Sequence, residues 1–266
     1  MCGIFGILCQ TGIKKNDLLL LAAHAENRGR DSSGLYVSDQ KIHSVYRAVT
    51  PITNLLKTAN ILNADFVMGH SRLVTNGLID NQPVQYHDKY VIHNGIIVND
   101  EAVWTKIDKH RNQEIDTEVL GALADKFVNK VSDLEKLPNK IFKFCEGTIA
   151  CAMAFPKLGK LLLLSNNGSL FFGKRDETMF FSSERYPLAK LKCSAIHQIK
   201  REGLVLDMSV SDKKAIVKEA KHGSANLIPA LGQLKEEEKL LVYKENDLLR
   251  CKKCILPETM PFIRFD

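Results

Sequence analysis

Four short stretches hold the side chains with chemical potential. A cysteine stands at position 2, directly behind Met1 and ahead of the apolar run Gly3-Ile4-Phe5-Gly6-Ile7-Leu8. An arginine sits in Gly69-His70-Ser71-Arg72-Leu73-Val74-Thr75-Asn76-Gly77, an amide beside a glycine in His93-Asn94-Gly95-Ile96, and a carboxylate in Ile115-Asp116-Thr117-Glu118. A thiol of ordinary pKa ~8.5 is only a few per cent ionised at neutral pH, so a nucleophilic cysteine needs a base. With Met1 cleaved, Cys2 would carry both thiol and α-amine. An α-amine of pKa ~7.7–8.0 suits proton transfer, directly or through a water. Arg72 is the residue type for bidentate carboxylate recognition. The Asn94 amide and the Gly95 N–H can act as paired donors to a developing oxyanion, each such donor contributing ~2.7–4 kcal/mol elsewhere. Asp116 can hold an ammonium group.

Each residue also has an ordinary explanation. Cys2 fits a strand core, Arg72 a surface ion pair, Asn94-Gly95 a turn at a strand end, and Asp116 a helix N-cap. Taken together they complement an electrophilic carbonyl, a carboxylate, an oxyanion and an α-ammonium. A free amino acid with a side-chain amide presents all four, and glutamine is the obvious candidate.

The elements that must position these groups follow from periodicity and punctuation. Ile4 to Cys9 reads as a buried strand, and Asn16-Asp17 as the cap of a helix with apolar Leu18, Leu21, Ala22 and Ala25. Arg28 to Gly34 reads as a turn-rich loop leading into strands at 35–38 and 42–48. Strands at 65–71 and 90–93 run into glycine-containing loops, and helices are expected at 100–109, 117–130 and 134–144. Strands then follow in quick succession at 148–155, 161–165, 170–174, 178–182, 203–207 and 215–218. Strands and helices do not alternate regularly, which argues against a doubly wound parallel sheet and for helices packed on a two-sheet core.

The motifs Met1-Cys-Gly-Ile-Phe-Gly-Ile, Arg28-Gly-Arg-Asp-Ser-Ser-Gly, residues 69–77, residues 93–100, Asp116-Thr-Glu, Glu146-Gly147 and Ser182-Ser-Glu resemble, in order, those of class II glutamine amidotransferase domains. These belong to the N-terminal nucleophile hydrolase superfamily. The resemblance spans residues 2–220 and implies an α+β fold, a four-layer αββα sandwich of two mostly antiparallel sheets between helical layers. It implies Cys2 as nucleophile with its own α-amine as base, Asn94 and Gly95 as oxyanion hole, and Arg72 as ligand of the glutamine α-carboxylate. It implies Asp116, with Gly95, as ligand of the α-amine, Thr75 as a pocket residue, and Arg28 close to the nucleophile. Asn76 departs from the histidine that related members carry there. No cofactor is implied for the glutaminase reaction itself.

Residues 221–250 read as a linker or peripheral tail. The segment 251–266, with Cys251-Lys-Lys-Cys254 and Pro257 and Pro261, resembles the start of the N-acetyl sugar amidotransferase family. That resemblance implies an ATP-dependent synthetase domain, absent from this chain, and zinc at Cys251 and Cys254 once a second cysteine pair completes four ligands. The ammonia would then pass to a synthetase domain or subunit acting on an N-acetyl sugar in surface polysaccharide biosynthesis. An asparagine-synthetase-like enzyme or a cysteine amidase with another amide substrate is the alternative. A third reading, a zinc- or nucleic-acid-binding module around Cys251 and Cys254, would leave the Cys2 constellation without a use.

The bulk numbers fit. At 266 residues, 45% hydrophobic and 26% charged, the chain is an ordinary globular composition, and its +6 formal charge is dispersed rather than clustered, giving little support to a nucleic-acid partner. No apolar run approaches the ~18 residues of a membrane span. Seven cysteines without a disulfide-like framework point to a reducing cytoplasm.

Overall fold

The computed structural model describes residues 2–9, 11–39, 42–73 and 80–208, together with the backbone of 214–219. The chain divides into two units, residues 1–225 and 226–266, and the second lies outside the described residues. So do the expected linker, Thr75, Asn76, Cys251 and Cys254.

In chain order, β1 (Gly3–Leu8) and α1 (Lys15–Glu26) are followed by the hairpin β2 (Ser32–Ser38) and β3 (Ile42–Ala48), α2 (Ile52–Thr58) and β4 (Phe66–Arg72). Then come β5 (Val84–Tyr86), β6 (Lys89–Ile97) and the helices α3 (Asp100–Ile107), α4 (Thr117–Phe127) and α5 (Leu137–Phe144). The second half runs β7 (Gly147–Phe155), β8 (Lys160–Ser165), β9 (Phe171–Arg175), β10 (Thr178–Ser182), α6 (Arg185–Lys190), β11 (Ser194–Gln198), β12 (Glu202–Asp207) and β13 (Lys214–Glu219). Eight strands form one sheet in the order β11-β9-β10-β1-β4-β2-β3-β13, and five form another in the order β12-β8-β7-β6-β5. Every described pairing is antiparallel except β3 with β13.

Side-chain alternation explains the layers. In β1, Phe5 and Ile7 join Leu18, Leu21, Ile52, Leu55 and Leu188 in a core between the larger sheet and α1, α2 and α6. Ile4 and Leu8 point the other way, into a core shared with Tyr90, Ile92, Ala152 and Leu163 of the smaller sheet. The opposite face of that sheet, through Val91, Ile149, Met153 and Leu162, meets Val103, Val119, Leu123 and Ile141 of α3, α4 and α5. Three cores between four layers make an αββα sandwich, the architecture that the family resemblance implies. Strands buried on both faces have near-continuous apolar runs, which is why β1, β7 and β8 were legible as strands.

Three local expectations are corrected. Helix α1 begins at Lys15, so Asn16 and Asp17 lie within its first turn instead of capping it, and Asp17 pairs with Arg175. Ser32, Ser33 and Gly34 belong to β2, paired with Arg72, Ser71 and His70, and are not loop. Asn94 and Gly95 do not end a strand: β6 continues through them, opposite Ala150 and Ile149, to Ile97.

Candidate active site

Cys2 precedes β1, and the antiparallel register Gly3↔Ser71 sets it beside the end of β4, where Arg72 lies. By alternation Cys2 shares a face with Ile4, Arg72 with Met68 and Asn94 with Ile92, so all three open onto the space between the sheets at one end. The Cys2 thiol is half-buried and lies 3.5 Å from the Leu73 carbonyl oxygen. Burial pushes its pKa up from the ordinary thiol value. The chain's amino terminus and Arg72 oppose that shift, as does the Leu73 backbone, and the Asp116 carboxylate reinforces it. A thiol held up in this way is protonated at neutral pH and needs a base to react.

Arg28 fixes the nucleophile's backbone. Its Nε donates to the Cys2 carbonyl at 2.9 Å and its Nη1 to Glu184 Oε1 at 2.8 Å. Ser183, next to Glu184, receives the Ile4 N–H on its hydroxyl at 2.9 Å and donates its own N–H to the Ile4 carbonyl at 2.9 Å. The Ser-Ser-Glu motif thus clamps β1 from β10.

Arg72 is 3% exposed, and burial pulls its pKa below the usual guanidinium value, countered by Cys2, Asp80, Asp116 and Asp31. The Arg28–Gly34 stretch wraps its backbone: Asp31 N–H donates to the Arg72 carbonyl at 3.0 Å and Ser71 Oγ to the Gly29 carbonyl at 2.7 Å. A Cβ at position 29 would lie 2.3 Å from the Arg72 carbonyl carbon, so only glycine allows this approach.

Across the gap, Asn94 is 3% exposed on β6. Gly95 has φ +158°, and a Cβ there would sit 1.9 Å from the Thr148 carbonyl oxygen. The glycine therefore serves close strand contact within β6 and not the turn that was one of the sequence's alternatives. Asp116 precedes α4 but makes no side-chain cap. Its Oδ2 accepts the Ile97 N–H at 2.8 Å, which pins the start of α4 to the end of β6. Its Oδ1 is 3.5 Å from the Thr117 hydroxyl and 4.0 Å from His93 Nδ1. His93 is fully buried, and burial holds its pKa below the usual histidine value against the pull of Asp116. A neutral His93 leaves the Asp116 charge uncancelled.

The structure thus sets Cys2, Arg72 and Asp116 close enough to act electrostatically on one another, bonds Arg28 to the Cys2 backbone, and puts Asn94 and Gly95 on the facing strand. Sequence reasoning missed the supporting residues. Gln82 exchanges two hydrogen bonds with the His93 backbone, at 2.6 and 3.2 Å, and nothing in its neighbourhood signals this. Glu184 and Glu118 did lie inside quoted motifs, which was the available signal. Among the described residues no cluster of three or more His, Cys, Asp or Glu side chains is arranged for a metal.

Residues 70–190 match the glutamine amidotransferase domain family. The chain is 28% identical over 206 residues to the glutamine–fructose-6-phosphate aminotransferase of Chlamydia muridarum, covering 73% of this chain and 33% of that protein. Against the enzyme of the same name from Lactiplantibacillus plantarum it is 32% identical over 200 residues, covering 71% and 30%. The chain therefore spans about a third of the length of these curated relatives. Among solved structures, the glutamine phosphoribosylpyrophosphate amidotransferase of B. subtilis superposes with TM-score 0.61 at 18% identity, over 79% of this chain and 50% of that one. A second, described as the allosteric regulatory enzyme of purine biosynthesis, gives 0.62 at 17%, over 77% and 47%. The fold is that of the N-terminal nucleophile hydrolases. Within that fold the chain is similar to class II glutamine amidotransferase domains, enzymes whose nucleophile is an N-terminal cysteine.

Proposed function

We propose that this domain hydrolyses L-glutamine to glutamate and ammonia at Cys2 and delivers the ammonia to an acceptor-binding domain or subunit. The observation that carries the reading is a pair of opposite, buried charges, Arg72 and Asp116, that both act on the same half-buried thiol. That arrangement complements the α-carboxylate and α-ammonium of a free amino acid and aims its side chain at Cys2.

With Met1 removed, the α-amine of Cys2 takes the thiol proton as Sγ adds to the amide carbonyl. The oxyanion is held by the Asn94 amide and the Gly95 N–H. Collapse breaks the C–N bond, and the α-ammonium returns its proton to the departing ammonia. Water, activated by the same amine, then resolves the γ-glutamyl thioester and frees glutamate. Arg28 acts as a positioning residue, since its guanidinium is bonded to the Cys2 carbonyl and to Glu184. Thr75 is assigned to the pocket wall from the family resemblance.

The acceptor reading rests on two supports. The relatives' names describe transfer to fructose 6-phosphate, which favours amino-sugar chemistry, and residues 251–266 resemble the start of an N-acetyl sugar amidotransferase synthetase. We assign residues 2–220 to the amidotransferase domain, 221–250 to a linker and 251–266 to the beginning of a synthetase segment. The glutaminase reaction needs no cofactor. ATP would belong to the synthetase, and zinc at Cys251 and Cys254 requires a second ligand pair. A cytoplasmic location follows from the thiol content, and no described helix is long and apolar enough to cross a membrane.

The test is direct. Intact mass should show Met1 absent, glutamine should release ammonia, and a glutamine-mimicking diazo-ketone should add to Cys2. Cys2→Ala should abolish both turnover and labelling. Retained Met1 in an active enzyme would overturn the free-amine mechanism, and asparagine turned over as fast as glutamine would favour the alternative amide substrate.

A further inference from the structure

Residues 80–82 cross the molecule between the two sheets, and each of their side chains ties a different element. Asn81 Nδ2 donates to the Ser33 carbonyl at 3.0 Å, holding the segment to β2. Gln82 holds β6 through the His93 backbone, at 2.6 and 3.2 Å, and its Nε2 also donates to Thr117 Oγ1 at 3.1 Å. Asp80 is different, because both of its ties end on the proposed amino-acid clamp. Its carbonyl oxygen accepts from Arg72 Nη1, and its Oδ2 accepts the backbone N–H groups of Glu114 at 2.6 Å and Ile115 at 3.0 Å. Ile115 immediately precedes Asp116. One residue is therefore bonded to the guanidinium on one side and to the backbone that carries the carboxylate on the other.

We propose that Asp80 is a positioning residue that sets the span between Arg72 and Asp116, and so selects substrates carrying both an α-carboxylate and an α-ammonium. This rests on the glutamine reading above. The physical reason is geometric. Arg72 ends a strand of the larger sheet and Asp116 opens a helix covering the smaller one, so the two charges are carried by different layers. The α-carboxylate and α-ammonium of an amino acid share one carbon and tolerate little error in that separation. An Asp80 carboxylate accepting two N–H bonds makes a short, charge-assisted link of the stronger kind. No signal in the sequence marks Asp80, which stands in Leu78-Ile79-Asp80-Asn81 without a motif.

The test compares glutamine with glutaramate, the same amide acid without the α-ammonium, in wild type, Asp80→Ala, Asp80→Asn and Asn81→Ala. Wild type should prefer glutamine strongly. Asp80→Ala should raise KM for glutamine roughly tenfold or more, as expected for losing a charge-assisted pair of bonds, with kcat within about twofold. Its preference for glutamine over glutaramate should fall by a similar factor. Asp80→Asn, which keeps an acceptor oxygen, should recover most of that preference. Asn81→Ala should lower Tm and leave the preference unchanged, as a tie that does not touch the clamp. An Asp80→Ala enzyme that loses activity on both amides in equal proportion, or loses kcat instead of KM, overturns the proposal. If Asp80→Ala does not fold, Asp80→Glu, which keeps the charge but displaces the acceptor oxygens by a methylene, carries the same comparison: a lowered preference is expected, and an unchanged one overturns the proposal. A wild type that turns over neither amide defeats the glutamine reading itself. There, calorimetric glutamine binding to Cys2→Ala with and without Asp80→Ala (or Asp80→Glu, should the alanine variant not fold) still decides whether Asp80 sets the clamp, an unchanged affinity counting against it.

Discussion

Asp116 and Glu118 stand two residues apart at the start of α4, and both are buried, at 5% and 0% exposure. Their surroundings differ in one respect. The Glu118 carboxylate is saturated: it accepts the Asn112 N–H at 3.0 and 3.1 Å, the Asn112 side-chain amide at 2.9 Å and the Gln113 N–H at 2.9 Å. Asp116 accepts one firm bond, from Ile97 at 2.8 Å, and among the described residues its other oxygen has only the distant Thr117 hydroxyl at 3.5 Å and His93 Nδ1 at 4.0 Å. A carboxylate whose lone pairs are all taken by neighbouring N–H groups shapes a loop. One that keeps accepting capacity, while pinned in place, is built to receive something. The sequence presents the two as near equivalents, and only the donors around them tell them apart.

That contrast is open to direct attack. The largest effect is expected from Asp116→Asn, which should lower kcat/KM for glutamine by roughly a hundredfold or more, because it removes the charge facing the α-ammonium. Its Tm should stay within a few degrees of wild type. Glu118→Ala should do the reverse. Losing the hydrogen bonds of three N–H donors costs about 1.5–4.5 kcal/mol of stability, read as a lower urea midpoint, while kcat/KM of the folded fraction stays near wild type. An Asp116 variant that loses stability and no activity would remove the distinction.

A smaller effect concerns pH. His70, on β4 beneath Arg72, is fully buried; burial, reinforced by Arg72 and His93, pulls its pKa down to about 3. The unfolded chain binds a proton on this histidine near pH ~6.5, and the native state does not until far lower, so stability falls as pH drops through that window. The slope from one group is at most about 1.4 kcal/mol per pH unit. His70→Asn should flatten the acid limb between about pH 6 and 4 in urea titrations at stepped pH. The smallest effect belongs to a third carboxylate, Asp125, which is saturated by cations. Partial burial raises its pKa, but hydrogen bonds from His87, Lys109 and Lys89 more than offset this and hold it below the usual carboxylate range. Its contribution is present above the unfolded carboxylate pKa of ~4 and is lost as pH falls. Lys109→Ala, at the outer edge of that group, should shift Tm by no more than a degree or two, since surface ion pairs contribute little.

Much of this was legible in the sequence for identifiable reasons. β1, β7, β8 and β10 announce themselves as short apolar runs between polar punctuation, and the glutamine complement could be read from residue types alone. The misreadings share a cause. Asn94-Gly95 read as a strand end, open to a turn or an oxyanion site, because glycine normally interrupts strands, but β6 runs on through it and the glycine relieves contact with Thr148 on the paired strand. Asp116 looked like a cap because carboxylates favour that position, but its partner is Ile97, nineteen residues earlier on another element. α2 and α6 span only seven and six residues, and β5 only three, too few to show a period. Nothing local to Asp80 or Gln82 reveals the distant elements that they tie together.

The position of β1 in the larger sheet also has a consequence in time. The strand behind the nucleophile is made first, yet one of its edges pairs with β10, residues 178–182, and the carbonyl of Cys2 is held by an arginine whose partner is Glu184. At ribosomal rates of about 5–20 residues per second, roughly ten to forty seconds pass before those partners have been synthesised. During that interval a growing chain already contains Cys2, Arg28 and Arg72 but lacks the neighbours that lock Cys2 in place. Glutaminase competence should therefore arrive late and all at once, after the second half of the domain has emerged, so unfinished chains spend no glutamine.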